Sequence, residues 1–179
     1  MLFEIDCTQQ IRVVPKLKVE HFSPPRGKKM KVFLACQIFS RSVAAGIRLY
    51  VSQGLIPDEA LQTAIFVDTV NSMWDFVDST SVSAPGEKKA ITKTLIVEQL
   101  RTFDYFIAFV TSWQFLSPND VPIRHALPSH KGWILCLHSM KALSQELIVD
   151  KKVLNFLCLR KCNQDHVENM HCQIRGYNG

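Results

Sequence analysis

Residues 28–77 read KKMKVFLACQIFSRSVAAGIRLYVSQGLIPDEALQTAIFVDTVNSMWDFV, and the periodicity of this stretch decides the fold. Val32, Cys36, Phe39, Val43, Ile47 and Tyr50 recur at intervals of three and four, the spacing that lines one face of a helix from about Lys28 to Gln53. Gly54 follows, the residue type that most readily takes the left-handed backbone of a helix C-terminus. Pro57, with Asp58 and Glu59 behind it, carries the fixed φ and first-turn acids of a helix start. Leu61, Ala64, Ile65, Val67, Val70, Trp74 and Val77 then form the inner face of a second helix ending near Val77. Two long amphipathic helices joined by a short Gly-to-Pro turn make an antiparallel pair.

Working outward, residues 79–90 are small, polar and Pro/Gly-containing, and read as a loop and the best internal linker. A third helix is expected from about Lys93 to Phe115, with Phe103, Phe106, Phe109, Val110 and Trp113 on one face. Such aromatics can stack on bases, but interleaved with Leu95 and Ile107 they read first as core. Pro118, Pro122 and Pro128 mark a long loop, and Gly132-Trp133 leads into a fourth helix carrying Leu137, Met140, Leu143 and Leu147. A shorter apolar segment, Val153 to Leu157, follows Asp150. On the N-terminal side, residues 1–27 read as irregular, with a short strand or extended piece around Ile11 to Val14 and Pro24-Pro25-Arg26-Gly27 as a breaker. The expected fold class is mainly α, with a sheet mostly absent.

Composition sets the outer limits. Of 179 residues 47% are hydrophobic, enough for a core and too many for a disordered chain. The net charge of +5 permits contact with nucleic acid without demanding it. Basic residues gather at Arg26-Lys28-Lys29-Lys31 and at Lys151-Lys152 with Arg160-Lys161, where they either cover solvated turns or meet phosphates. No positively charged segment followed by an apolar core opens the chain, and no uninterrupted run of about 18 apolar residues occurs, so no membrane partner and an intracellular setting are expected. The six cysteines are scattered through apolar segments and are expected to be reduced thiols. No Gly-x-x-x-x-Gly-Lys-Ser/Thr loop and no Gly-x-Ser-x-Gly elbow is present, and His125 and His130 fall in the proline-bordered loop without a nucleophile partner.

The C-terminal stretch carries the densest chemistry. Asn163 is a good N-cap, Asp165 complements the positive end of a helix dipole, and Glu168, three residues on, shares its face, with Cys172 and Arg175 further along. That face can hold one side of a divalent ion, or it can be a solvated helix start with acids in its first turn. Cys158, Cys162, His166, His171 and Cys172 also form a cluster of zinc-ligand types, against which stands the absence of a hydrophobic middle.

Gln164-Asp165-His166-Val167-Glu168 before Ile174-Arg175-Gly176 resembles the Q-D-H-L-E…I-R…G signature of P-element-type DNA transposases, the group that includes the THAP-domain transposases of animals. Val14-Pro15-Lys16-Leu17 with Glu20-His21, Lys29-Met30-Lys31-Val32, and Ala35-Cys36-Gln37-Ile38-Phe39-Ser40 with Val43-Ala44-Ala45 resemble its P-K-L…E-H…K-M-K-V…A-Q-V-x-S…V-A-A stretch. Thr63-Ala64 leading to Asn71-Ser72-Met73-Trp74-Asp75 resembles its T-A…N-x-L-F-D segment, and Gly132-Trp133 the G-[FW] of a later helix. The resemblance implies a piece of a larger enzyme: residues 1–27 as a lead-in from an RNase H-like domain, 28–157 as a helical, nucleotide-binding-type insertion, and 158–179 as the start of the returning RNase H-like catalytic helix. It further implies DNA cleavage and strand transfer with Mg2+, transposon-end DNA as partner, a homo-oligomer, and a nuclear location.

Under the same resemblance Glu168 is the third catalytic acid and a metal ligand, while Asp165 is its neighbour near the nucleotide or metal. The two partner aspartates are expected outside this chain, because Asp6 lacks the right context. GTP is the implied nucleotide, acting in DNA synapsis rather than as fuel, with Asn71 and Asp75 as weak candidates to face it; the plainer reading makes them solvent-facing polar positions of an amphipathic helix. Met170-His171-Cys172 depart from the family's pattern just after the acid. The alternative to a piece of an active enzyme is a non-catalytic, domesticated module for DNA or protein interaction.

Overall fold

The computed structural model describes residues 1–25, 32–117, 119–123 and 127–163, together with Met170 and Gln173. It is mainly helical, as the periodicity requires, and its contacts divide it into two compact units, Met1–Trp74 and Asp75–Gly179.

The first unit opens on helix α1 (Leu2–Thr8), where an irregular segment was expected, because Leu2 and Phe3 find an apolar surface to cover. No strand forms at Ile11 to Val14; instead Val14 and Leu17 drop into a core with Val43, Ala44, Ile47, Ala64 and Val67. The single long helix expected from Lys28 is two, α2 (Val32–Ile38) and α3 (Arg41–Ser52). Ser40 between them is extended, with φ −104° and ψ 152°, and its hydroxyl donates back to the Gln37 carbonyl at 2.8 Å. Val32–Ser52 has the length and apolarity of a membrane span, but this break interrupts it and α3 turns Val43, Ala44, Ile47 and Tyr50 inward.

Gly54 ends α3 as its sequence position suggests. With φ at +70°, its N–H reaches the Val51 carbonyl at 2.9 Å and the Leu55 N–H reaches Tyr50 at 2.9 Å, the paired bonds of a Schellman motif. Helix α4 (Ala60–Val77) follows, contributing to the first unit through Trp74 and to the second from Asp75. Arg41 early in α3 meets Asn71 and Ser72, while Arg48 pairs with Asp68 at 2.8 Å, so the helices run in opposite senses. Of the expected inner face of α4, Ala64, Val67, Val70 and Val77 are buried and Leu61, Ile65 and Trp74 are exposed. Ile65 is 52% exposed, whereas Met73 and Phe76 are buried, because an 18-residue helix at 3.6 residues per turn turns different residues inward along its length.

Gly46 marks the closest approach in this unit. A Cβ there would lie 2.9 Å from Val14 Cγ2, and Val14 is only 1% exposed, with its N–H bonded to Asp6. Gly46→Ala gains about 1 kcal/mol of helix propensity but crowds a packed site at about 1–3 kcal/mol. A net loss of about 1 kcal/mol is expected in urea unfolding; a raised midpoint would show that Val14 can swing aside.

In the second unit the loop after α4 is held in place rather than serving as a linker. A 3-10 turn at Gly86–Lys88 and a bridge between Ser81 and Lys89 lead into strand β1 (Ile91–Thr92), which pairs antiparallel with β2 (Phe156–Leu157), Ile91 opposite Leu157. The buried Gln99 occupies the other edge of β1: its Nε2 donates to the Ala90 carbonyl at 3.0 Å and its Oε1 accepts from the Thr92 N–H at 2.9 Å. One side chain thus stands in for a missing strand, satisfying buried backbone groups. Gln99 belongs to α5 (Ile96–Thr111), whose Phe103, Phe106 and Val110 are buried; Phe76 stands edge-on to Phe103 at 4.8 Å, so these aromatics are core.

Helix α6 (Pro128–Ser144) starts earlier than Gly132 and includes His130, which the sequence reading placed in a loop. The His130 ring stacks on Trp113 with a 6.1 Å centroid separation, and its Nε2 lies 2.8 Å from the Val110 carbonyl at the end of α5. This is a structural tie, and His125 lies outside the described residues. A wide turn over Gln145–Asp150 closes α6, with Ile148 buried, and a 3-10 turn at Leu159–Cys162 follows β2.

Candidate functional site

Asn71 sits on α4, half-buried, and its Oδ1 accepts the backbone N–H of Arg41 at 3.3 Å. Arg41 is the first residue of α3, so Asn71 satisfies one of the donors that a helix leaves open at its N-terminus. This is a structural role that spacing could not reveal. Next to it Arg41 also reaches Ser72 at 3.4 Å, and Asp68 holds Arg48.

Asp75 is also half-buried, with its Oδ1 at 3.5 Å from Lys88 Nζ. It stands in the last turn of α4, followed by Asp78 just past the helix end. Carboxylates there face the negative end of the helix dipole, which disfavours each by roughly 0.3–1 kcal/mol. Each has a cation nearby: Lys88 for Asp75, and Arg160 Nη1 at 3.7 Å from Asp78 Oδ2. Lys88 reaches its place because the turn at Gly86, φ +58°, bends the chain back, and the Lys88 carbonyl then accepts the Thr80 N–H at 3.0 Å.

Ser79, absent from the sequence reading, is fully buried beside these acids. Its Oγ accepts the Leu159 N–H at 3.0 Å and its carbonyl accepts the Arg160 N–H at 3.2 Å. A lone serine opening a polar loop gives no sequence signal, because its partners lie 80 residues away.

The other candidate acids divide. Asp165 and Glu168 lie outside the described residues; in their segment Met170 and Gln173 are helical and exposed. Asp6 is fully buried, accepting from Arg12 Nε at 2.8 Å, Tyr50 Oη at 2.8 Å, Val13 N at 2.7 Å and Val14 N at 3.0 Å. Burial by itself raises its carboxyl pKa, but the bonds from Tyr50, Val14, Arg12 and Val13 outweigh it and hold the pKa below the usual value. Tyr50 moves the other way, raised first by burial and then by its bond to Asp6. Four donors saturate a carboxylate, so Asp6 is a folding hub and has nothing left for a metal.

Among the described residues no group of three or more His, Cys, Asp or Glu side chains is placed to hold a metal ion. Cys158 and Cys162 are free thiols, as are Cys7 and Cys136, while the remaining members of the zinc-type cluster fall outside the described residues. Burial raises the Cys162 pKa, and burial followed by the nearby Cys162 raises that of Cys136, so both are protonated and poorly nucleophilic at neutral pH.

A helical unit whose α3 ends in a Schellman turn, and a helical unit clipped by a two-stranded ladder that is the only sheet among the described residues, define the class: a mainly helical, insertion-type fold. Residues 1–90 of the 179 match the family described as "TNP-like, GTP-binding insertion domain", and the chain belongs to that family. No curated relative matches the sequence. Among solved structures the fold is similar to a chain of the Drosophila P element transposase strand transfer complex, with a TM-score of 0.78 and 22% identity over 99% of this chain. This chain spans 39% of that one. The resemblance read from the sequence motifs to P-element-type transposases is therefore borne out in family and in fold.

Proposed function

We propose that this chain is the helical, guanine-nucleotide-binding part of a P-element-type transposase, and that the complete enzyme cleaves and joins transposon-end DNA in the nucleus as a homo-oligomer. The observation that carries this reading is the fold match over 99% of the chain to a transposase from a strand transfer complex, supported by the GTP-binding name of the family matched by residues 1–90.

For the nucleotide, the chemistry on α4 fits. The two oxygens of Asp75 are acceptors only, complementary to the adjacent N1–H and N2–H donors of guanine, and adenine presents no such pair. Lys88 Nζ, 3.5 Å from Asp75 Oδ1, helps to hold the carboxylate in place. Asp75→Ala is expected to weaken GTP binding to the 179-residue chain by about 10-fold or more, the worth of a charge-assisted hydrogen bond. Calorimetric titration with GTP and ATP tests it, and equal affinities for the two would remove Asp75 from base recognition.

Among the described residues no cluster of His, Cys, Asp or Glu is placed for a metal ion, and in this reading magnesium is held by acids outside them. Paired divalent ions, when bound, activate the attacking oxygen and stabilise the leaving one in phosphoryl transfer. In this reading Glu168 supplies the third carboxylate, Asp165 stands beside it, and two aspartates come from the rest of the complete enzyme.

A further inference from the structure

We infer that the last turn of α4 couples nucleotide at Asp75 to the chain that runs toward Glu168, with Ser79 as the clip; this regulatory role rests on the nucleotide reading above. Four contacts leave that turn and the two residues after it. Asp75 meets Lys88, Asp78 meets Arg160, and Ser79 takes the N–H groups of both Leu159 and Arg160. A fifth, Thr80 N–H to the Lys88 carbonyl, joins the Lys88 turn to the residue beside the clip.

These contacts share one backbone, so fraying of this single turn undoes them together. Asp75 lies in the last turn of α4, and Ser79 follows the helix end at Val77 by two residues. Leu159 and Ser79 are buried, so the clip opens only when the turn itself gives way. A ligand that engages Asp75 in its folded position opposes that fraying by mass action, and the same equilibrium governs the anchor at Leu159 and Arg160. Arg160 stands eight residues before Glu168 in the sequence. Nucleotide occupancy thereby sets how firmly the catalytic segment is tethered at its start. The two acids at the unfavourable end of the helix dipole fit this assignment: they make the turn marginal by itself, and so responsive to a ligand.

Amide hydrogen exchange on the 179-residue chain, followed by NMR with GTP as the probe, tests the coupling. Exchange at Leu159 and Arg160 is expected to slow about 100-fold at a GTP concentration 100 times its Kd, because openings that destroy the site are suppressed by one plus the ratio of ligand to Kd. The Ser112 amide, at the C-terminal end of α5 and bonded to the Ala108 carbonyl, is expected to stay unchanged, and Asp75→Ala to remove the effect. If GTP binds and Leu159 and Arg160 exchange as before, the coupling is wrong while the nucleotide reading stands. If GTP does not bind, the nucleotide reading falls and takes the coupling with it.

Discussion

Asp6→Ala is expected to cost the first unit about 3–5 kcal/mol, a large share of the total stability of a domain of this size. The cost comes from the partners. Removing the carboxylate leaves the Tyr50 hydroxyl, two backbone N–H groups and the Arg12 guanidinium without their acceptor, next to Val14 and Tyr50, each 1% exposed. Arg12 keeps its bond to the Leu17 carbonyl at 2.7 Å and its place over the Phe3 ring, so it stays half-buried without a counter-charge. Tyr50→Phe removes only one of the four donors and is expected to cost about 1 kcal/mol. The acid dependence follows from the sign of the shift. A carboxyl whose folded pKa is depressed stabilises the fold above its unfolded value, here 3.8, and loses that contribution as pH falls through the lower folded value. Urea midpoints of wild type and Asp6→Ala should therefore differ most near neutral pH and converge below about pH 4. A constant gap across that range would show that the Asp6 charge does not contribute.

Glu168→Ala, placed in a complete enzyme of this family, is expected to abolish metal-dependent DNA cleavage while leaving DNA binding and folding largely intact. The two acids thus separate cleanly by assay. Loss of Asp6 shows in the unfolding midpoint, while loss of Glu168 shows in strand cleavage, because a carboxylate facing divalent ions contributes to chemistry and not to the packing of a core. Cleavage and joining of a labelled transposon-end duplex with magnesium, beside a gel-shift assay for binding, makes the measurement. Unchanged cleavage would take Glu168 out of the catalytic set and favour the reading of this chain as an interaction module.

The motif blocks that carried the family resemblance turn out, where they are described, to be folding determinants. Val14 and Leu17 of one block and Val43 and Ala44 of another lie in the same core. His21 of the Glu-His pair touches Gln37 of the Ala-Cys-Gln block, Nε2 to Oε1 at 2.8 Å. Even Asn71, singled out for a ligand, closes the start of α3. Motifs are legible because they recur in order along a chain, but a motif does not say whether its residues hold the fold or the ligand. Asn71 does the first, and its second role is open to the GTP titration.

What the sequence by itself determined is local: the helical class from intervals of three and four, the stop at Gly54 from the left-handed backbone only glycine takes cheaply, and the aromatic core of α5. What only the tertiary structure decided is where distant polar groups meet. Asp6 with Tyr50, Gln99 with the edge of β1, and Ser79 with Leu159 are pairings over 44, 9 and 80 residues. The physical reason is the same in each case. A buried donor or acceptor must find a partner, and the partner is set by which backbone passes within 3 Å once the core has packed, a fact that no periodicity along the chain contains.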